Sequence, residues 1–337
     1  MSEAVRVLVP GKLMLFGEYT VLWGEECLAF CLNSFMEVEA RLTQDGLVTI
    51  ESDLWDEPVI LGNSIPTPSY VQGHFIFPLF NRLLKRFPLP GLRLKVCSGW
   101  DITAGLGSSS ALSLGLCLAV AKLANPRLGT IENTQQTELW ECAQIAWENQ
   151  VDHQGFASGY DIACQLQGGL MSFAFKADQW PASISSFQAE SLPNFIQVYS
   201  GGKGAPTKGV GGKTLTWIEQ NQLKNEIIAL MNAARKGFLQ ALVQESESSM
   251  SAAIAQIARL RQFLLSGPCF PRYLEDALKT CKGFDEKFTY KTTGAGGEDA
   301  IVVFGFPSET REAHDKLASL GWHALDVNFP CHGAILE

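Results

Sequence analysis

A lysine stands beside the first of several glycine-rich segments in the chain. Lys12 follows Pro10-Gly11 at the end of the β-branched run Val5–Val9, a pattern that predicts a short strand ending in a turn. A lysine at such a junction can attract a phosphate or interact with a neighbouring acid or hydroxyl group. A surface lysine in a turn is the alternative interpretation.

Hydroxyl groups follow the glycines of the second segment, Ala104–Leu112. Gly105 and Gly107 lead into a proline-free run of small and apolar residues, which predicts a buried helix over Ser108–Ala124. The N–H groups of its first turn can hold an anion, and one serine can bind Mg²⁺. The segment matches neither a Walker loop nor a dinucleotide fingerprint. A serine-capped helix is the alternative.

An aspartate and a third run of glycines complete the residues that could do chemistry. Asp161 lies in Gly155–Ala163, between a glycine-rich turn and the start of a helix made of small residues. It is predicted either to cap that helix or to pair with a lysine and accept a proton. The glycines of Lys291–Ala300 allow the backbone to approach a ligand closely, and a hairpin turn is their alternative role.

The elements that must position these segments are strands and helices in both halves of the chain. Alternating apolar residues predict antiparallel strands at 36–42 and 47–52, and further strands at 92–98, 300–305 and 322–326. Helical periodicity marks 108–124, 137–151, most of 214–265, and 309–320. This pattern predicts an α+β fold with two domains. The polar stretch 174–193 suggests the boundary, giving an N-terminal domain 1–180 and a C-terminal domain 181–337.

Composition excludes several classes of protein. The 337 residues include 26 Lys and Arg against 35 Asp and Glu, a net charge of −9 that is unsuited to holding nucleic acid. No cationic leader or long uncharged apolar stretch is present, so we expect neither export nor a membrane partner. The nine cysteines form no Cys-x-x-Cys pair, which favours reduced, mostly buried thiols in a cytoplasmic protein.

Three of the glycine-rich segments resemble, in this order, the signature motifs of the GHMP kinase superfamily. They are Pro10–Tyr19, Gly105–Leu112 and Lys291–Asp299. The resemblance implies a two-domain fold, with a ribosomal protein S5 domain 2-like N-terminal domain and a ferredoxin-like C-terminal domain. The motifs are most similar to those of the isoprenoid-pathway kinases. Tyr19 stands where mevalonate kinases usually have His, and Ser158–Ala163 and Gly294–Asp299 also look more like phosphomevalonate kinases.

The resemblance implies a set of site residues. ATP phosphates are expected on Gly105, Leu106, Gly107, Ser108, Ser109 and Ser110. Asp161 is expected to act as general base with Lys12 as its partner. Mg²⁺ is expected on Ser109 and Glu148. The separation of Glu148 from Asp161 is two residues longer than in typical mevalonate kinases, and a solvated helix carboxylate is the alternative for Glu148. The acceptor is expected to contact Lys12, Glu18, Tyr19, Ser158, Gly159, Lys203, Ala205, Thr207, Thr293, Gly294, Ala295 and Gly296.

The implied activity is transfer of the γ-phosphoryl group of MgATP to 5-phosphomevalonate, by a monomer or homodimer. Phosphorylation of the mevalonate hydroxyl is the alternative within the same chemistry, and a non-catalytic ligand sensor is the alternative of another class. The hallmarks of the related diphosphomevalonate decarboxylases are not evident. Three departures bear on the acceptor: Glu298 in place of a glycine, Pro206 in place of a small residue, and the lack of a proline before the second motif.

Overall fold

The computed structural model describes most of the chain in twelve pieces. They are residues 4–53, 57–61, 75–102, 104–129, 136–176, 179–188, 190–200, 207–265, 267, 284–292, 300–325 and 332–337. Strands and helices are present in both halves, which confirms the predicted α+β class. No helix within these ranges has the length and apolar character needed to cross a membrane.

The strands are numbered in chain order. They are β1 (Val5–Phe16), β2 (Cys27–Leu42), β3 (Val48–Ser52), β4 (Val59–Leu61), β5 (Leu92–Ser98), β6 (Leu170–Lys176), β7 (Gln179–Phe187), β8 (Ile196–Ser200), β9 (Thr289–Thr292), β10 (Ala300–Phe304), β11 (His323–Leu325) and β12 (Ile335–Leu336).

The helices are numbered in the same way. They are α1 (Ile76–Arg86), α2 (Ser108–Ala124), α3 (Gln136–Gln154), α4 (Tyr160–Gln167), α5 (Thr207–Gln220), α6 (Lys224–Gln244), α7 (Glu247–Leu265), α8 (Phe284–Lys287) and α9 (Pro307–Ser319). Short 3₁₀ turns occupy Thr20–Trp23 and Leu192–Asn194.

Two sheets organise these elements. The first has the strand order β12-β1-β2-β5-β3-β4, and β6 joins it through β2 and carries β7 at its far side. The second has the order β11-β8-β10-β9. The proposed boundary at residue 180 falls within β7, and both β7 and the tail strand β12 complete the first sheet. The last residues of the chain, in β12, therefore belong structurally with the first sheet and not with the second.

The first strand is longer than the sequence predicted. β1 does not stop at Pro10-Gly11 but continues to Phe16, with a register shift against β2 between Pro10 and Lys12. An irregularity of this kind accommodates proline within a strand because no ladder N–H is required there. The prediction of antiparallel pairing holds for β2 and for the pairing of β3 with β4, whereas β3 runs parallel to β5. A strand, β7, also lies within the polar stretch 174–193, for which no strand was predicted.

Helix α2 packs against the first sheet so closely that its middle requires glycine. A Cβ atom on Gly115 would lie 2.8 Å from Val38 Cγ2 on β2. All residues from Ser110 to Ala121 are buried. This close packing fixes the N-terminus of α2 relative to β1 and β2.

A second core joins β1 to the helices and strands of the C-terminal half. Phe16 lies 5.6 Å from Phe238 on α6 and 5.8 Å from Phe304 on β10, measured between ring centroids. The rings of Phe238 and Phe304 are 5.5 Å apart and nearly perpendicular, a favourable aromatic geometry. The end of β1 is therefore held by residues of both halves of the chain.

Buried thiols agree with the interpretation of the cysteines. No cysteine in the described ranges forms a disulfide, and of these cysteines only Cys97 is partly exposed. Burial raises the pKa of Cys142 to about 12, with smaller contributions from Glu141 and Glu138. The Cys142 thiol therefore stays protonated and unreactive at neutral pH.

Candidate functional site

Lys12 links the first glycine segment to the second. Its side chain is only 6% exposed, and its backbone N–H donates to the carbonyl of Leu106 at 2.9 Å. A Cβ atom on Gly107 would lie 2.6 Å from Lys12 Cε, so only glycine leaves room for the lysine stem. Gly107 also adopts φ 81°, which favours glycine independently. The first and second glycine segments therefore meet at Lys12.

The hydroxyl groups at the start of α2 have different partners. Ser108 Oγ accepts a hydrogen bond from Trp100 Nε1 at 2.9 Å and donates to the carbonyl of Ile102 at 3.2 Å. Ser110 Oγ donates to the carbonyl of Gly107 at 2.9 Å. Ser109 is exposed, and its hydroxyl has no hydrogen bond to any described residue. Of the three serines, Ser109 is the one whose hydroxyl faces solvent for a metal ion or phosphate.

Asp161 lies in the first turn of α4 and is held by hydrogen bonds. Gln150 Nε2 on α3 donates to Asp161 Oδ2 at 2.9 Å, and the backbone N–H of Ile162 donates to Oδ1 at 3.0 Å. The N-cap of α4 is Gly159, with φ 72°, so the capping role suggested for Asp161 is wrong. The carboxylate is left as a polar group at the positive end of the helix.

Lys12 contacts the neighbour of Asp161 and not Asp161 itself. Lys12 Nζ donates to Tyr160 Oη at 3.0 Å and lies 5.2 Å from the centre of the tyrosine ring. No ion pair joins Lys12 to Asp161 among the residues that the structure describes. Burial of the hydroxyl raises the pKa of Tyr160 well above its ordinary value, and the nearby Asp161 carboxylate adds to the effect. The predicted pairing of Lys12 with Asp161 is thus replaced by a lysine–tyrosine hydrogen bond.

Two tryptophans hold the loop that precedes Asp161. Trp147 Nε1 donates to the carbonyl of Ala157 and Trp180 Nε1 to the carbonyl of Ser158, each at 3.0 Å. The two indole rings stack at 5.3 Å with an interplanar angle of 6°. A Cβ atom on Gly159 would lie 2.5 Å from both tryptophans, so the predicted acceptor residues Ser158 and Gly159 are packed in a rigid loop.

Gln165 connects parts of the candidate site in a way that the sequence did not reveal. It is fully buried on α4, and its Nε2 donates to the carbonyl of Pro10 at 3.0 Å and to that of Gly107 at 3.2 Å. One amide thereby connects α4 to the first and second glycine segments. A glutamine among apolar helix residues carries no signal of this role, because the carbonyls it binds are distant in sequence.

Glu148 faces away from Asp161. Its Oε2 accepts from Arg82 Nη1 on α1 at 3.1 Å and its Oε1 accepts from Gln144 Nε2 at 3.2 Å, and its side chain is 42% exposed. Each helix residue turns the side-chain direction by about 100°, so side chains 148 and 150 point to nearly opposite sides of α3. Gln150 is the one that faces Asp161. The geometry favours the alternative of a solvated helix carboxylate for Glu148.

The fit of Mg²⁺ depends on Ser109. No group of three or more His, Cys, Asp or Glu side chains within the described ranges is arranged to hold a metal ion. Mg²⁺ in nucleotide sites takes few protein ligands and completes its shell with phosphate oxygens and water. A free hydroxyl at the start of α2 fits that requirement, whereas Glu148 remains only a predicted ligand.

The remaining predicted acceptor residues differ in how far the structure describes them. Glu18 and Tyr19 are both buried, and Glu18 forms a buried ion pair with Lys291 on β9. Thr207 begins α5, but its side chain is not described. The other predictions lie outside the described residues: Lys203, Ala205, Thr293, Gly294, Ala295 and Gly296.

Comparison with known proteins finds similarity in sequence to one family domain and to several kinases. Residues 74–169 match the family model for the GHMP kinases N terminal domain. The chain is 25% identical to mevalonate kinase of Schizosaccharomyces pombe, over 94% of this chain and 86% of that protein. It is 26% identical to mevalonate kinase of Pyrococcus abyssi, over 51% of this chain and 52% of that protein.

Solved structures share the whole fold. The Lin0012 protein of Listeria innocua superimposes with a TM-score of 0.78 at 16% identity, covering 99% of both chains. Phosphomevalonate kinase of Streptococcus pneumoniae, in complex with phosphomevalonate and AMPPNP, gives 0.68 at 21% identity, covering 96% of this chain and 98% of that one. The chain is thus similar to the GHMP kinases N terminal domain over residues 74–169, to a mevalonate kinase along most of its length, and to these solved structures in fold.

Proposed function

We propose that the protein transfers the γ-phosphoryl group of MgATP to 5-phosphomevalonate, as a cytoplasmic enzyme of isoprenoid precursor biosynthesis. The observation that carries the proposal is the meeting of three elements at Lys12. Its backbone bonds to the loop before α2, its stem covers Gly107, and its ammonium bonds to Tyr160 at the start of α4. A cation there lies between the helix that can hold phosphates and the carboxylate that can face an acceptor.

The nucleotide side of the proposed site is the N-terminus of α2. The first intrahelical bond runs from the N–H of Ala111 to the carbonyl of Gly107, so helix geometry leaves the N–H groups of Ser108, Ser109 and Ser110 for an anion. Ser109 Oγ would hold Mg²⁺, which neutralises phosphate charge during transfer. Phosphoryl transfer depends mainly on such positioning and charge neutralisation.

The acceptor side of the proposed site suits a group that is already ionised. Both oxygens of Asp161 accept hydrogen bonds, one from Gln150 and one from the backbone of Ile162. A phosphate monoester carries its negative charge near neutral pH and requires no strong base, whereas a hydroxyl must lose its proton. Lys12 would offset the charge that accumulates when two anionic reactants meet. These contacts support a phosphorylated acceptor.

Mevalonate is the second candidate acceptor, because the curated relatives at 25% and 26% identity are both named mevalonate kinases. With mevalonate, Asp161 would accept the hydroxyl proton while Lys12 stabilises the charge on the transferring group. The same residues serve either acceptor, so the choice between them needs a direct assay.

The assay measures ADP release with MgATP and, separately, 5-phosphomevalonate, mevalonate, homoserine or galactose. We expect kcat/KM to be highest with 5-phosphomevalonate, with the diphosphate product identified by mass. Faster turnover of mevalonate would replace the proposed acceptor by the second candidate. ADP release from none of the four would contradict both and favour the ligand-sensing alternative. Release of CO₂ would point to the decarboxylase chemistry of related proteins.

A further inference from the structure

A buried ion pair joins the two sheets beside the candidate site. Glu18 follows β1, and Lys291 lies on β9, 273 positions later in the chain. Lys291 Nζ donates to Glu18 Oε1 and also to the carbonyl of Thr292 at 2.8 Å. The two side chains are only 4% and 2% exposed. Charged groups are rarely buried to this extent unless they are paired.

The surroundings of the pair are largely apolar. Lys291 Nζ lies 5.9 Å from the centre of the Phe16 ring, whose neighbours are Phe238 and Phe304. Glu18 Oε2 is buried and has no hydrogen-bond partner among the described residues. Burial therefore raises the pKa of Glu18, and the Lys291 ammonium acts in the opposite direction. Either charge left alone in this environment would be strongly unfavourable.

The backbone around Glu18 is rigid. Its carbonyl accepts from the N–H of Thr20 at 2.7 Å, and the carbonyl of Gly17 accepts from Val21 at 3.0 Å. Gly17 has φ 113°, and a Cβ atom on it would lie 2.2 Å from Cys27 Cβ. The position of the Glu18 carboxylate is therefore fixed relative to β1, the strand that carries Lys12.

Strand β9 is tied to the C-terminal half in a similar way. Tyr290, the residue before Lys291, accepts a hydrogen bond at 2.8 Å from Arg261 on α7. The same guanidinium lies 3.9 Å from the centre of the Tyr290 ring. Each member of the ion pair thus sits on a well-anchored strand or turn of its own half.

We propose that the Glu18–Lys291 ion pair is a positioning device that sets the second sheet in register with β1, and so aligns both halves of the chain around Lys12. The aromatic packing of Phe16 stabilises the junction but is non-directional, because apolar contact fixes no single register. A hydrogen-bonded ion pair fixes distance and direction. Glu18 then acts through Lys291 and not by direct contact with the acceptor. The inference rests on the proposed function, because its test by kcat requires an enzyme that turns over one of the acceptors.

The test separates positioning from stability. Glu18→Leu and Lys291→Met each leave one buried charge unpaired, so we expect Tm to fall by about 10 °C in each single variant. The double variant removes both charges and should regain most of the lost Tm. Its kcat should nevertheless remain at least about tenfold below that of the wild type, with both KM values within about a factor of two. Glu312→Gln, which breaks the exposed pair of Lys287 and Glu312, is the control and should leave Tm and kcat unchanged.

A double variant that regains both Tm and kcat would reduce the pair to a structural role and overturn the proposal. A rise in the acceptor KM at unchanged kcat would also overturn it, since that split indicates direct binding by Glu18. If the double variant does not fold, Glu18→Asp supplies the test, because it keeps the charge but shortens the side chain by one methylene. Lowered kcat at near-normal Tm in Glu18→Asp supports positioning, and wild-type kcat contradicts it.

One readout does not depend on the acceptor. Hydrogen exchange of the backbone amides in β9 should quicken in the double variant or in Glu18→Asp, while exchange in α2 stays unchanged. If the wild type fails to turn over any of the four acceptors, the proposed function fails but this measurement still decides the inference. Unchanged exchange in β9 would overturn the positioning role even in an active enzyme.

Discussion

Lys12 Nζ and Tyr160 Oη are joined by a hydrogen bond of 3.0 Å, which places the cation of β1 on the residue immediately before Asp161. The tyrosine hydroxyl is buried, and its raised pKa keeps it protonated and neutral. Lys12 is therefore held in place by a neutral partner and keeps its full charge for an anionic ligand. A direct Lys12–Asp161 pair would have cancelled part of that charge.

Removal of either charged group should abolish most of the turnover. In Lys12→Met and Asp161→Asn we expect kcat to fall by about 10²- to 10⁴-fold, because charge neutralisation and acceptor positioning are lost in the transition state. MgATP affinity, measured by calorimetry, should change little, since α2 is intact. Lys176→Met, at an exposed strand end, is the matched control. Turnover near that of the control in Lys12→Met would remove Lys12 from the mechanism.

Loss of the Tyr160 hydroxyl should affect both activity and alkaline stability. Tyr160→Phe frees Lys12 Nζ to take other rotamers, so we expect kcat to fall about tenfold. Because the folded-state pKa of Tyr160 lies above its unfolded value, its contribution to stability is complete below about pH 10 and is lost as the pH rises through the folded pKa. The wild type should thus lose Tm more steeply than Tyr160→Phe above about pH 10. Parallel Tm curves would show that Tyr160 does not contribute to alkaline unfolding.

The hydroxyl of Ser109 should matter for nucleotide binding. Ser109→Ala removes a group that has no partner within the described ranges, so the fold should be unaffected and Tm unchanged. We expect the KM for MgATP to rise about tenfold through loss of one Mg²⁺ or phosphate contact. Ser110→Ala, whose hydroxyl bonds within its own helix turn, is the matched control and should affect KM much less. Equal effects of the two substitutions would contradict the assignment of Ser109.

The sequence contained enough information for the glycine segments and their order, but not for their side-chain partners. Lys12, Gly107 and α2 could each be located, because glycine, lysine and a long buried helix each leave a local pattern, but their mutual contacts could not. The end of β1 could not be predicted, since Pro10-Gly11 is typical of a turn and only pairing with β2 carries the strand through it.

Long-range partners explain the other differences. Gln150, Gln165 and Lys291 act on residues that lie 11, 155 and 273 positions away. No periodicity or motif encodes such pairs, because their geometry exists only after the sheets and helices have packed. The resemblance implies Glu148 as a Mg²⁺ ligand, whereas the helix turns Gln150 and not Glu148 toward Asp161.

A carboxylate at position 150 should make the enzyme sensitive to pH. Gln150 Nε2 donates to Asp161 Oδ2 at 2.9 Å, so Gln150→Glu places two carboxyl groups side by side. Like charges at this distance raise the pKa of the pair, and the two groups share one proton at low pH. The protonated form can still donate to Asp161, but as the pH rises the proton is lost and two negative charges face the acceptor. We therefore expect activity in Gln150→Glu to decline with rising pH across a range where the wild type is constant.

The KM for the acceptor and a second variant distinguish charge repulsion from simple loss of the Gln150–Asp161 hydrogen bond. With 5-phosphomevalonate, the KM of Gln150→Glu should rise about tenfold at the alkaline end of the range, because the added carboxylate repels the anionic phosphate of the substrate. Gln150→Met removes the hydrogen bond without adding charge and should lower kcat with no new pH dependence. Identical pH profiles of kcat/KM for Gln150→Glu and Gln150→Met would show that position 150 does not set the charge at the acceptor site.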